Sequence, residues 1–160
     1  MSYTQPIPDG FEVHQFKRTF ILNHSRKDVW EILMRQSTFT DTQVWPFRVE
    51  FDKKERYMRT GSDNMHHGPF MLFSGVITKV SPPSYRDLHY YSGSYFGSIR
   101  WIRPARLQFT LEDNQGSTHL YLELTSYVKP WISFFWSQSL KLFWSNFGRW
   151  LNRHIRKQIH

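Results

Sequence analysis

The polar side chains that could do chemistry in this chain lie among closely spaced aromatic rings. Residues 85–106 interleave four arginines with tyrosine and tryptophan rings: Arg86, Arg100, Arg103 and Arg106, with Tyr85, Tyr90, Tyr91, Tyr95 and Trp101. Such a stretch could bind nucleic acid, because bases stack on rings and arginine pairs with phosphate. It could also turn one arginine inward to hold a carboxylate or phosphate headgroup, or form an exposed strand face. We predict Arg100 and Tyr90 as the inward polar groups, although a one-residue register shift would exchange the faces.

Other chemical groups are sparse in the sequence. His66 and His67, with Asp63 and Asn64 nearby, form a metal-like cluster, but adjacent strand residues point to opposite sides, so we expect no metal. The chain has no cysteine, which excludes thiol catalysis and disulfides. It also lacks a glycine-rich phosphate loop, paired catalytic carboxylates and a nucleophile elbow. Acid–base chemistry would depend on isolated groups such as His89. We therefore favour a protein that is not an enzyme and uses no cofactor.

The aromatic residues indicate an apolar binding site. They make up 18% of the chain, and a core of large rings is bulky enough to leave gaps. Pockets for small molecules are mostly apolar, with a few polar groups that orient the ligand. We predict a site that is oriented by Arg100 and lined by rings, namely Trp45, Phe70, Phe73, Tyr90, Trp101, Phe109, Phe135 and Phe143. The alternative is a core that the same rings fill.

Length and charge limit the class of protein. The 160 residues fit one domain, 1–160, in which residues 1–10 form an extended lead-in. The net charge of +8 suits acidic partners such as anionic lipid headgroups, or simply solubility. Residues 1–10 show no charged start followed by an apolar run, so we expect a cytoplasmic location.

The C-terminal segment, residues 129–160, is the most unusual part of the chain. It has no Asp or Glu, six Lys or Arg, and four of the seven Trp. Its polar interruptions argue against a membrane span and favour an amphipathic helix. Helical periodicity places one set of residues on its broad apolar face: Ile132, Phe135, Trp136, Leu140, Phe143, Phe147, Trp150 and Leu151.

Strands dominate the rest of the chain. Ser25 is a predicted N-cap for a helix over residues 26–35, with a short helical turn after it. Alternation predicts strands over 11–22, 48–52, 69–80, 85–91 and 95–103, and a hairpin from 107–112 to 120–124. Residues 60–68 are predicted to be a loop.

This order of elements resembles the START-like superfamily, also called the polyketide cyclase/dehydrase and lipid-transport superfamily. Four stretches carry the resemblance, which extends over about residues 12–157: FILNHS (20–25), DVWEIL (28–33), GVITKVSPP (75–83) and GSTHL (116–120). The resemblance implies an α+β helix-grip fold, in which a curved antiparallel sheet of about six or seven strands wraps round a long C-terminal helix.

The same resemblance implies a function. Members of this superfamily enclose a hydrophobic cavity and bind lipids, sterols, polyketides or plant hormones, and a minority catalyse cyclisation or ring chemistry. We therefore expect a carrier or sensor that binds a hydrophobic small molecule or lipid, with transient contact to an anionic membrane as a further expectation. The alternative is a cyclase- or aromatase-type enzyme, which requires at least two titratable residues on the cavity floor. A nucleic-acid partner is the least favoured.

Overall fold

The computed structural model describes residues 4–41, 48–96 and 99–159. Seven strands form one antiparallel sheet in the order β1-β7-β6-β5-β4-β3-β2. The strands are β1 (Glu12–Leu22), β2 (Arg48–Phe51), β3 (Asp63–Gly68), β4 (Met71–Ser81), β5 (Tyr85–Tyr95), β6 (Ile102–Asn114) and β7 (Ser117–Val128). The helices are α1 (Arg26–Met34), α2 (Gln36–Thr40), α3 (Ser133–Phe143) and α4 (Phe147–Ile159), with a 3-10 turn at Pro130–Ile132. This confirms the predicted α+β class and its curved sheet with C-terminal helical cover.

Local sequence signals explain where α1 begins. The Ser25 hydroxyl oxygen accepts a hydrogen bond from the Asp28 backbone N–H at 3.2 Å, and the hydroxyl donates to the Asp28 carboxylate at 2.6 Å. The first bond satisfies one of the backbone donors that every helix start leaves unpaired. The predicted capping role of Ser25 is confirmed.

Alternation sets the inner face of the sheet. Phe16, Phe20 and Leu22 of β1 are buried, as are the alternating residues of the predicted hairpin, which are Leu107, Phe109, Leu111, Leu120, Leu122 and Leu124. Successive strand residues point to opposite faces, so one face packs on the helices and the other meets solvent.

Residues 60–68 and 92–94 differ from the prediction. The predicted loop over residues 60–68 is β3 from Asp63 onward, because this polar stretch pairs along β4. Residues 92–94, which separate the predicted strands over 85–91 and 95–103, lie inside a single strand, β5. Gly93 is paired with Phe73 and has φ +97°, and a Cβ there would overlap the Leu72 carbonyl oxygen and the Phe73 backbone. The glycine thus allows close approach of two strands rather than a reversal of the chain.

The C-terminal segment is helical along most of its length, but it is interrupted at residues 144–146. Of the predicted apolar face, Phe135 and Phe143 of α3 are exposed, so the packed face is narrower than predicted. Trp136 and Leu140 of α3 are buried, and Leu151 and Ile155 of α4 are buried. No helix among the described residues combines the length and the apolar character that a membrane crossing requires.

Candidate functional site

The site is built round an arginine that the fold buries completely. Arg86 lies on the inner face of β5 and is 3% exposed. Its Nη1 donates to the Leu33 carbonyl oxygen at 3.3 Å and lies 3.5 Å from the Met58 sulfur. The guanidinium carbon lies 4.6 Å from the centroid of the Phe109 ring. It also lies 5.5 Å from the centroid of the Phe39 ring. The Nε of Arg86 has no hydrogen-bond partner among the described residues. A buried cation that the described residues surround with a carbonyl, a sulfur and two rings is incompletely compensated.

No carboxylate in the described part of the chain balances this charge. Among residues 4–41, 48–96 and 99–159, no acidic side chain forms an ion pair with Arg86. Burial lowers the pKa of Arg86 to about 10, so the side chain is still a cation at neutral pH. An unpaired buried charge is costly to the folded protein. Arg86 is therefore suited to receive an anion from outside the chain.

Asp87, which follows Arg86 in sequence, directs its carboxylate to the opposite face of the sheet. It accepts hydrogen bonds from Arg106 Nε at 2.8 Å and Arg106 Nη2 at 2.6 Å. His89 Nε2 lies 3.3 Å from the same carboxylate. The pleat of β5 separates these groups from Arg86, so the carboxylate and arginine that follow each other in sequence do not pair.

Two neutral polar groups accompany Arg86 on the inner side. Burial raises the pKa of Tyr90, although the Arg86 charge opposes that shift, so the phenol keeps its proton at neutral pH. The His66 ring lies with its centroid 5.6 Å from that of Tyr90, and its Nε2 donates to Asn64 Oδ1 at 3.0 Å. Burial, helped by the Arg86 charge, lowers the pKa of His66 to about 3. His66 is therefore a neutral imidazole whose Nδ1 can accept a hydrogen bond.

A series of rings leads from this polar end toward α3. We call Tyr90, Phe73, Tyr95 and Trp136 the ring column. Successive ring centroids are 4.9 Å apart for Tyr90 and Phe73, 4.7 Å for Phe73 and Tyr95, and 4.4 Å for Tyr95 and Trp136. These rings fill the interior between the sheet and α3 along this path. The buried indole N–H of Trp136 has no hydrogen-bond partner.

The ring column reaches the surface beside three further rings. Phe96 lies 6.2 Å from Trp136, 5.8 Å from Phe135 and 5.9 Å from Phe70, measured between ring centroids. Phe70 and Phe135 are exposed. We call Phe70, Phe96 and Phe135 the mouth of the interior.

Two depressions in the described part of the protein lie on its surface. One, of about 550 Å³, is lined by Asn23, Asn146, Arg149, Asn152, Arg153 and Arg156. The other, of about 310 Å³, is lined by polar residues between Asp52 and Asp63. Both have polar linings and neither includes Arg86 or the ring column.

The predicted site residues divide into several groups. Phe73, Tyr90 and Phe109 are buried and lie within reach of Arg86 or of one another. Phe70 and Phe135 are at the mouth. Trp101 and Phe143 are exposed outside it, and Trp45 lies outside the described residues. The predicted ligand-binding role of this set stays a prediction.

Arg100 does not point inward, which is a correction. β5 ends at Tyr95, β6 begins at Ile102, and Arg100 is exposed in a turn over residues 99–101, so the described residues do not form the single strand predicted over 95–103. Arg86 takes the inward position instead. The sequence could have predicted the inward position of Arg86 from its spacing with Leu88 and Tyr90, because residues at intervals of two share one face of a strand.

Comparison with known proteins identifies the architecture but no close relative. No family model matches the chain, and no curated protein matches it. Among solved structures, the chain is similar to a norcoclaurine synthase mutant from Thalictrum flavum in complex with a transition state analogue, with a TM-score of 0.68 and 10% identity. That match covers 94% of this chain and 98% of the other.

Two further structures have the same architecture. Ara h 8.0201 matches with a TM-score of 0.66 and 12% identity, covering 91% of this chain and 99% of that one. DynU16, described as a putative protein in the dynemicin biosynthetic locus, matches with a TM-score of 0.63 and 17% identity, covering 93% of this chain and 48% of that one. These identities show a shared fold alone. These matches confirm the predicted helix-grip fold.

Proposed function

We propose that this protein binds an amphipathic small molecule, with an apolar body and one anionic end, between the sheet and its C-terminal helices. Arg86 holds the anionic end, and the ligand body lies along the ring column. The protein is then a carrier or sensor that binds its ligand without converting it. The observation that carries this proposal is the buried guanidinium of Arg86, which has a free Nε and no carboxylate partner among the described residues.

The energetics favour an anionic ligand over a neutral one. A hydrogen bond to a charged group contributes about 1.5–3 kcal/mol, and a carboxylate or phosphate can accept two parallel bonds from one guanidinium. The apolar body adds about 25 cal/mol for each Å² removed from water. The anion therefore sets selectivity, while the rings supply most of the affinity.

Entry requires movement, because the ring column occupies the interior. We propose that α3 moves outward and carries Trp136 with it. Only Trp136 and Leu140 of this helix are buried, and the break at residues 144–146 separates it from the better-packed α4. The norcoclaurine synthase structure, which holds a transition state analogue, supports the idea that this architecture accommodates an organic molecule.

The test compares two fluorescent probes that differ in one charge. The probe 1-anilinonaphthalene-8-sulfonate carries a sulfonate, and N-phenyl-1-naphthylamine is the same molecule without it. We expect the wild-type protein to prefer the sulfonate probe, and Arg86→Met to weaken its binding by about 10- to 100-fold. Binding of the neutral probe should change little, because Met retains the apolar volume.

Arg26→Met is the matched control. Arg26 forms a surface ion pair with Asp113 at 3.0 Å, so its loss removes the same charge without changing the interior. The proposal is abandoned if Arg86→Met and Arg26→Met leave the same preference for the sulfonate probe. It is also abandoned if neither probe binds the wild-type protein.

An enzymatic role is the second candidate, favoured by the cluster of His66, Tyr90 and Arg86. Arg86 would stabilise an oxyanion, the Tyr90 phenol would donate a hydrogen bond to it, and the neutral His66 imidazole would accept a proton. The low pKa of His66, about 3, makes it a weak base. An anionic substrate bound at Arg86 would offset the positive charge of the guanidinium and thereby raise the pKa of His66.

Proton exchange is the simplest measurement of this chemistry. Acetoacetyl-N-acetylcysteamine in D₂O would exchange its α-protons faster with the wild-type protein than with His66→Gln. Equal exchange rates for the two proteins, at matched concentration, would remove the enzymatic candidate.

A further inference from the structure

The outer side of α3 presents large apolar residues to solvent. Trp131, just before the helix, is 68% exposed, and Phe134 and Leu142 of the helix are 78% and 77% exposed. Their spacing places Phe134 one helical turn beyond Trp131, on the side away from the buried Trp136 and Leu140. A helix that packs only on its own sheet does not need these side chains.

This exposed surface extends beyond the helix. The Trp131 ring lies 5.8 Å from that of Trp101, centroid to centroid, and exposed Ile99 precedes Trp101 in the same turn. Phe135 joins the surface to the mouth of the interior through Phe96. We call Ile99, Trp101, Trp131, Phe134, Phe135 and Leu142 the apolar patch. Continuous apolar patches on proteins usually mark an interaction site.

Cations lie at both ends of the apolar patch. At the C-terminal end of α3, Lys141 is exposed, and Arg18 donates to the Lys141 carbonyl oxygen at 3.0 Å. At the other end, Lys129 Nζ and Arg103 Cζ lie 4.5 Å and 5.4 Å from the centroid of the Phe11 ring. Residues 129–159 contain no Asp or Glu. The partner of this surface should therefore be both apolar and negatively charged.

We propose that the apolar patch docks on the interface of an anionic lipid bilayer. Trp and Phe side chains enter the headgroup region, while lysine and arginine meet anionic headgroups. Each cation near such a surface contributes a factor of about five in binding. A second copy of this chain is a poorer partner, because it would bring the same cations together. Docking is independent of Arg86, and the nearby mouth would then open toward the bilayer.

Vesicle binding tests the proposal with the full chain. Sedimentation with sucrose-loaded vesicles would compare phosphatidylcholine alone with phosphatidylcholine containing 30% phosphatidylserine. We expect binding to the anionic vesicles that weakens as salt rises. Phe134→Ser with Leu142→Ser should reduce it at least about tenfold, and Lys141→Gln about fivefold.

The matched control removes exposed apolar residues from elsewhere. Ile21→Ser with Met65→Ser changes side chains that are exposed on the strands, and it should bind like the wild type. Arg86→Met should also bind like the wild type, which separates docking from ligand binding. Equal loss in both double variants, or no binding to anionic vesicles, overturns the proposal. The proposal is also overturned by a third result. In it, the protein self-associates as its concentration rises, and Phe134→Ser with Leu142→Ser abolishes this self-association but leaves vesicle binding unchanged.

Discussion

Arg86 and Asp87 are adjacent in β5, yet the sheet places their charges in opposite surroundings. Asp87 faces outward and is held by two hydrogen bonds from Arg106. Arg86 faces inward, where one backbone carbonyl, one sulfur and aromatic rings surround it. The fold thus satisfies one charge of the pair and leaves the other available. This contrast yields two opposite expectations for stability.

Arg86→Met should leave the free energy of unfolding unchanged or raise it by about 1–2 kcal/mol. Replacing an incompletely paired buried charge by an apolar side chain of similar length removes a desolvation penalty. Urea denaturation at pH 7 measures the change. A loss of about 2 kcal/mol or more would mean that the contacts with Leu33 and Phe109 outweigh the penalty, and would weaken the assignment of Arg86 to ligand binding.

Asp87→Asn should lower the free energy of unfolding by about 2 kcal/mol at pH 7, because hydrogen bonds to charged groups contribute about 1.5–3 kcal/mol. Burial acts to raise the pKa of Asp87, but its bonds with Arg106 and its neighbours' charges outweigh burial and lower it.

The pH dependence of this difference follows from the lowered pKa. The stabilisation is present above the ordinary pKa of 3.8 and is lost as pH falls through the lower pKa of the folded state. Urea denaturation between pH 7 and pH 2 should show the two proteins converging at the acid end. A constant difference across that range would contradict the role given to this carboxylate.

Gly93→Ala should destabilise the protein more than Gly116→Ala. Both glycines have positive φ, +97° and +87°, so both substitutions carry backbone strain of about 1 kcal/mol or more. A Cβ at Gly116 meets nothing within 4 Å, whereas one at Gly93 overlaps the Leu72 carbonyl oxygen. We expect a difference of at least about 2 kcal/mol in unfolding free energy. Equal effects would show that β4 separates from β5 at little cost.

Leu140→Ala should loosen α3 without loosening the sheet. Leu140 is 3% exposed, and truncating a buried leucine costs about 2–5 kcal/mol. If α3 opens locally, its amide protons should exchange at least about 30-fold faster, while those of β6 and β7 change little. Leu142→Ala, on the exposed side of the same helix, is the control and should leave exchange unchanged. Uniform acceleration throughout the protein would show that α3 does not open by itself.

Much of the fold could be predicted from patterns among residues that are close together in the sequence. The Ser25 cap, the alternation of Leu107, Phe109 and Leu111, and the hairpin to β7 each depend on neighbouring residues, so their geometry follows from local rules. Residues 63–68 were missed for the opposite reason. Their polar composition resembles a loop, and only the pairing with β4 makes them a strand.

The interior site was predicted only in part. Phe73, Tyr90 and Phe109 were predicted as part of it and are buried there. Arg100 was chosen over Arg86 because a strand over residues 95–103 was expected, and the turn after Tyr95 removed the alternation on which that choice depended. Likewise, Phe135 and Phe143 were predicted on the buried face with Trp136, but the packed side of α3 is narrower than the predicted face and leaves both exposed.

By itself, the sequence determined the general order of elements, the apolar faces of β1, β6 and β7 and the basic, acid-free C-terminal segment, because these depend on residue type and spacing. Only the tertiary structure decided which arginine is buried, which rings touch and which side of α3 stays exposed. Those outcomes depend on strand register and on the relative rotation of packed elements. A shift of one residue reverses them without changing any local pattern.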